Sequence, residues 1–230
     1  MKIRSVEQTL PGVYKIVPEA GSVFFLRATY LNLVDEKSIV PCPACIGSDD
    51  MLFTSTGDES ELESGPGVFS DEEWEDILHA ALVFSAERAA MSYLGRAEHC
   101  RSGLFRKITA KGIDKEAVNL ALDYLEQEGL LDDRRFADAW LSTRYVDHAE
   151  GRRKLSAELA ARGVKRQAAE DALSDFFSRY NEKDICFRAL KKYLRTHAST
   201  DENKLTAHLS RLGFSSSQIK QARKNLEEEE

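Results

Sequence analysis

Cys42-Pro43-Ala44-Cys45 is the one short motif in this chain whose residue types and spacing carry chemistry by themselves. Two thiols two residues apart lie on one side of a turn, where they can share a zinc ion or cycle as a dithiol pair. Zinc needs two further ligands, yet the chain has no second CxxC and no HxxxH pair, and His79, His99, His148, His197 and His208 are scattered. No βαβ pattern surrounds the motif, as a thioredoxin-like pair would require. The expectation is no metal site and no cofactor. Asp132-Asp133 has the composition of paired catalytic acids, but adjacent carboxylates where a helix begins are more simply a cap and a partner for the helix dipole. With no phosphate-cradling Gly loop, HExxH or GxSxG in the sequence, the chain reads as a protein that is not an enzyme.

What remains is charge. The net charge is −7, unevenly spread: residues 1–83 hold 5 Lys+Arg against 15 Asp+Glu, residues 84–226 hold 27 against 20, and the last four residues are all Glu. A basic body can approach nucleic acid or an acidic protein groove, whereas acidic flanks weaken non-specific attraction to DNA. Solvated helix faces with no partner are the plainer reading of the same charges. The basic side chains that stand out are Arg134, Arg135, Arg144, Arg152, Arg153, Lys154, Arg162, Lys165 and Arg166.

The elements that must position these side chains follow from three glycines. Gly112, Gly163 and Gly213 lie 51 and 50 residues apart, and the same apolar pattern surrounds each. Leu104, Leu155 or Leu205 stands eight residues before, Ile108, Leu159 or Leu209 four before, and Ile113, Val164 or Phe214 directly after. This spacing predicts a helix of about three turns closed by a left-handed Gly. A second helical stripe follows each Gly: Val118, Ala121, Leu122, Leu125, then Ala169, Ala172, Leu173, Phe176, then Ile219, Ala222, Arg223, Leu226. A third precedes the middle helix: Ala86, Ala89, Ala90, Tyr93, then Phe136, Ala139, Trp140, Thr143, then Cys186, Ala189, Leu190, Tyr193. Ser199 with Glu202 and Ser215 with Gln218 have capping-box spacing, and Asp114 and Asp133 precede helices. The predicted fold is mainly α, a tandem array of three three-helix repeats, elongated and curved, whose stacked neighbours close one core.

Upstream, Val13–Val17 and Val23–Leu31 read as strands joined in a hairpin by Pro18–Ser22, with Lys37–Val40 as a short third strand. The division expected is a β region over 1–69 with an acidic flexible segment at 41–69, a linking helix over 70–83, repeats over 84–131, 132–182 and 183–226, and an acidic tail over 227–230. Ser70 with Glu73 caps the linking helix. Cys186 falls on a core stripe and Cys100 in a connection, so the four cysteines read as reduced thiols. No apolar run approaches the ~18 residues that cross a bilayer, and MKIRSVEQTL has no apolar signal core. The chain is expected to be a cytoplasmic monomer with no membrane contact.

The most specific stretch is Gly129–Arg144, GLLDDRRFADAWLSTR, at the junction of the first two repeats. Here Gly129 ends a helix, Leu130 and Leu131 seal the joint, Asp133 caps the next helix, and Phe136 and Trp140 form its buried ridge. With RSGLFRKITAKGI (Arg101–Ile113) before it and GRRKLSAELAARGV (Gly151–Val164) after it, the stretch closely resembles the RecX family, regulatory proteins that act on the RecA recombinase. Gly129, Leu130, Leu131, Asp132, Asp133, Arg135, Phe136, Ala137, Trp140, Arg144, Gly151, Glu158, Leu159 and Gly163 occupy the places of that family's pattern, and the resemblance spans about residues 84–226. It implies a non-enzymatic modulator seated in the groove of the RecA–single-stranded-DNA filament, limiting filament growth and inhibiting ATP hydrolysis, strand exchange and co-protease activity. The nine basic residues named above are then the candidate filament contacts, with weak direct DNA contact possible. Two other readings stay open: a helical protein that binds DNA directly without recombinase, and a solenoid scaffold with an unrelated partner.

Overall fold

The computed structural model describes residues 1–39, 68–197 and 201–228. The CPAC motif, most of the acidic segment and Ser199 lie outside these residues. Three strands and ten α-helices make up the described chain, which divides into two compact units, 1–92 with 108–124 and 93–107 with 125–230.

In the first unit, β1 (Ile3–Leu10), β2 (Val13–Pro18) and β3 (Phe24–Arg27) form an antiparallel sheet in the order β1-β2-β3. The expected hairpin is β2–β3, with Val13 opposite Arg27 and Ile16 opposite Phe24. The third strand is not where it was expected. Residues Glu36–Ile39 form a short helix, α1, and the sheet is completed by β1, whose polar, mostly exposed residues present no apolar alternation. Helix α2 (Asp71–Leu94) runs uninterrupted through the expected linker into the first stripe; Ser70 and Glu73 form its capping box (Glu73 N–H to Ser70 Oγ 3.2 Å, Ser70 N–H to Glu73 Oε2 2.8 Å).

Two buried carboxylates of α2 bind this unit together. Glu87 accepts from Arg27 Nε and from Tyr30 OH, each at 2.8 Å, while the Arg27 guanidinium lies 4.7 Å from the Tyr124 ring centroid. Asp76 accepts the backbone N–H groups of Asn32, Leu33 and Val34 at 2.9–3.1 Å. Burial alone would raise the Asp76 carboxyl, but those three amides outweigh it and hold it below the usual carboxylate range. Each carboxylate therefore has its oxygens met by donors, which is the condition for burying one at all.

The chain continues through α3 (Arg101–Thr109), α4 (Lys115–Gln127), α5 (Asp133–Asp147), α6 (Arg152–Arg162), α7 (Arg166–Arg179), α8 (Glu182–Thr196), α9 (Glu202–Arg211) and α10 (Ser216–Glu227). The glycine stops behave as the sequence requires: Gly112, Gly163 and Gly213 have φ of 86°, 80° and 95°. Beyond two of them the chain folds back onto the last turn, Val164 N–H donating to Leu159 O (3.2 Å) and Phe214 N–H to Leu209 O (3.3 Å). The five leucines and one isoleucine that precede the glycines are all buried.

The repeat is visible in the contacts as well as the pattern. Cys100 Sγ donates to Arg162 O (3.4 Å), and 51 residues on, Gly151 N–H donates to Leu212 O (2.8 Å). Likewise Asp133 Oδ1 accepts from Arg101 N–H (2.8 Å), and Glu182 Oε1 from Arg152 N–H (2.8 Å). In both places the first turn of the next long helix, α5 or α8, supplies the carboxylate that caps the middle helix before it, and α8 begins at Glu182, one residue ahead of the expected repeat boundary. Stacking neighbours thus satisfy backbone donors that no single three-helix unit can.

Caps at two helices differ in detail from the sequence expectation. Asp132, not Asp133, caps α5, accepting from the N–H groups of Arg134 (2.7 Å) and Arg135 (3.2 Å). Asp133 is buried and turned to two other helices, taking Arg101 N–H on Oδ1 and Lys165 N–H on Oδ2 (2.9 Å). Asp201 caps α9. Asp114 and the Ser215–Gln218 box act as expected. On α5 the core residues are Ala137 and Leu141, whereas Phe136 and Trp140, expected to be a buried ridge, are only half-buried. Both pack against the core of the second unit, and guanidinium groups lie over the rest of the Trp140 ring.

Candidate functional site

Helix α5 carries Trp140, and one turn later Arg144, whose guanidinium lies 5.7 Å from the indole ring centroid. From the last turn of α6, Arg162 approaches the same ring to 4.5 Å. An indole flanked by two guanidinium groups is a favourable cation–π arrangement. Two carboxylates fix it. Glu150, buried in the α5–α6 connection, accepts from Arg144 Nε (2.6 Å) and Nη2 (3.0 Å) and pairs with Lys154 (2.7 Å). Glu158 on α6 pairs with Arg144 (3.2 Å) and Arg162 (3.3 Å), and its carbonyl accepts from Arg162 Nη1 (2.8 Å).

This network is preorganised electrostatically. Burial pushes the Glu150 carboxyl up, but the hydrogen bonds from Arg144 and Lys154 outweigh that effect and hold it below its ordinary value; the Arg144 guanidinium beside it is raised, first by the same hydrogen bond. A carboxylate whose folded pKa is depressed contributes stability that is complete above its unfolded pKa and lost as pH falls through the folded one. Urea unfolding from pH 7 to pH 3 is therefore expected to show an acid-side loss of stability that shrinks in Glu150→Gln. An unchanged acid limb in that variant would contradict the assignment.

The other nominated residues divide by partner. Arg135 is a clamp: its Nε meets Glu98 (2.6 Å), and its Nη1 and Nη2 meet the carbonyls of Gly129 (3.1 Å) and Leu130 (2.9 Å), so it holds the GLL turn. Arg134 pairs with Asp138, Asp171 and Asp175, tying α5 to α7. Lys165 meets Glu126 (2.8 Å), and Arg166 meets Glu170 (2.8 Å) with 90% of its side chain exposed. Arg152 lies over Phe177 at 5.7 Å, and Arg153 is exposed with no partner among the described residues. Magnitudes separate these groups. An exposed pair such as Arg166–Glu170 is screened by solvent and yields readily to a partner, whereas Arg144 faces a carboxylate that is only 3% exposed and stays in place.

Sequence reasoning did not single out Glu150, although its i,i+4 spacing to Lys154 was a usable signal. It also missed Tyr145, which stacks on Tyr180 at 4.0 Å with Arg188 4.3 Å from its ring. Among the described residues no three His, Cys, Asp or Glu side chains converge as a metal site would need, and no helix is long and apolar enough to cross a membrane.

A family model described as RecX, second three-helix domain, matches residues 132–173, the stretch that carries this network. The regulatory protein RecX of Mycobacterium sp. (strain KMS) is 31% identical over 173 residues, covering 72% of this chain and 90% of that protein. The chain belongs to the RecX family. The RecX protein of Treponema pallidum (strain Nichols) is 34% identical over 126 residues, 55% of this chain and 77% of its own. Two RecX crystal structures, each 19% identical, share the fold. One, described as regulatory protein RecX, has a TM-score of 0.66 and covers 97% of this chain and 98% of its own. The other, RecX from Lactobacillus salivarius, has a TM-score of 0.56 and covers 64% and 97%. Within the family match, Trp140, Arg144, Glu150, Glu158 and Arg162 make one connected face spanning α5, its following loop and α6.

Proposed function

We propose that this chain regulates a RecA-type recombinase by binding in the groove of its filament on single-stranded DNA. Bound there, it inhibits filament extension, ATP hydrolysis, strand exchange and co-protease activity, and so modulates recombinational repair and the SOS response, without catalysis of its own. The observation that carries this reading is family membership: the relatives are named regulatory proteins, and the family model coincides with the helices bearing the arginine-rich face. Direct contact is assigned first to the cations held least tightly, Arg152, Arg153, Lys165 and Arg166. Arg144, Lys154 and Arg162 shape the Trp140 face, and Arg134 and Arg135 hold its helices.

The test is a titration of the purified chain into recombinase, ATP and single-stranded DNA. ATPase and strand exchange are expected to fall at substoichiometric amounts, and Arg152→Glu/Arg153→Glu is expected to weaken the effect at least tenfold. Normal ATPase and strand exchange in the presence of excess protein would overturn the proposal. Tight binding to DNA alone, with a steep salt dependence and no gain from recombinase, would favour the direct DNA-binding reading.

A further inference from the structure

Away from the Trp140 face, α8 has two unlike sides. Ile185, Cys186, Ala189, Leu190 and Tyr193 are buried in the core of the second unit. On the other side Asp184, Phe187, Arg188, Lys191, Leu194 and Arg195, at i, i+3, i+4, i+7, i+10 and i+11, line an open groove of about 510 Å³ that Leu226 of α10 completes. Among the described lining residues its floor is Phe187, Leu194 and Leu226, all half-buried, and its rim is Arg188, Lys191 and Arg195 against one carboxylate, Asp184. Arg188 is fixed in place, its Nη2 donating to the carbonyls of Tyr145 (3.0 Å) and His148 (3.1 Å).

We infer that this groove docks an acidic amphipathic helix of a partner protein, with two aliphatic anchors on the floor and carboxylates facing the three cations. This lies outside the proposed filament contacts on α6 and α7. Cations spaced three, four and seven residues apart along one helix face match carboxylates at helical spacing on another, the usual helix-in-groove arrangement. Nucleic acid suits the groove less well. Stacking needs an open ring, whereas the ring that lines the groove among the described residues, Phe187, is already covered by the Lys191 ammonium at 4.3 Å, and Asp184 would repel phosphate.

The probe is a 16-residue helical peptide with Leu at anchor spacing flanked by Glu, compared with the same peptide carrying Lys for every Glu, both titrated against the full chain. The Glu peptide is expected to bind and to weaken as salt rises. Lys191→Glu/Arg195→Glu should lower its affinity at least tenfold while thermal unfolding stays unchanged, and hydrogen exchange should slow in α8 and α10 on binding. Because both variant sites are exposed, loss of binding cannot be put down to loss of fold when unfolding is unaltered. Equal binding of the two peptides, unchanged affinity in the double variant, or displacement of the peptide by a thymidine oligonucleotide would each overturn the inference.

Discussion

Asp133→Ala is expected to destabilise the chain by about 3 kcal/mol in equilibrium denaturation, because one buried side chain serves two partly buried backbone donors. Its Oδ1 holds Arg101 N–H and its Oδ2 holds Lys165 N–H, at the starts of α3 and α7. Losing the carboxylate strands both amides, each at about 1–3 kcal/mol, and removes a negative charge from two helix N-termini. Asn is a poor substitute, since it offers one acceptor oxygen and turns an NH₂ donor toward the second amide. The neighbouring residue is the control. Asp132 is an exposed N-cap of α5, so Asp132→Ala should cost only about 1 kcal/mol. If the Asp132 variant proved the less stable of the two, the assignment of roles would be wrong.

That exchange of roles marks where sequence stops being informative. Capping preferences identify which residue types stand at a helix start, and Asp114 and Ser215 could be assigned from type and spacing alone. Two adjacent aspartates are equivalent by that criterion. Only the approach of α3 and α7 makes one a local cap and the other a long-range tie, and nothing within 30 residues of Asp133 encodes the position of Arg101 or Lys165. Strand β1 escaped for a different reason. A strand is read from alternation, and Ile3–Leu10 lies mostly exposed with polar residues on both faces.

The arginines of the second repeat show the same limit at the site. Their abundance is plain in the sequence, and so are the i,i+4 pairs Glu158–Arg162 and Glu150–Lys154. Arg135–Glu98 and Arg144–Glu158 bridge 37 and 14 residues and depend on the turn between elements. Charge counting therefore overstates how much cationic surface is open to a partner: Arg144 sits against a buried glutamate and an indole, and the free charge shifts to Arg153 and the weakly held Arg166. Trp140 was placed deeper than it lies by the same cause, because a helical stripe cannot show that one side of a ring packs on the core while guanidinium groups cover the other.

The glycine stops yield the second large effect, and the three are expected to respond unequally to alanine. All have positive φ, so each substitution carries ~1 kcal/mol of backbone strain. For Gly112 that is the whole penalty, since a Cβ there meets nothing within 4 Å. A Cβ at Gly163 would fall on the Ser102 side chain, 2.6 Å from its Cβ, and one at Gly213 would lie 2.5 Å from the backbone nitrogen of Lys154. Backbone cannot give way as the end of a flexible side chain can, so Gly213→Ala should cost about 3 kcal/mol or more and Gly163→Ala nearly as much. Both glycines touch the start of the middle helix of the unit before, where a Cβ added to Gly151 would in turn lie 2.8 Å from the Gly213 carbonyl carbon. The close approach that closes each helix is thus also the joint between successive units. Denaturation midpoints ranked Gly112→Ala above Gly163→Ala and Gly213→Ala would support this coupling, and equal losses at all three sites would show that the glycines serve only to end their own helices.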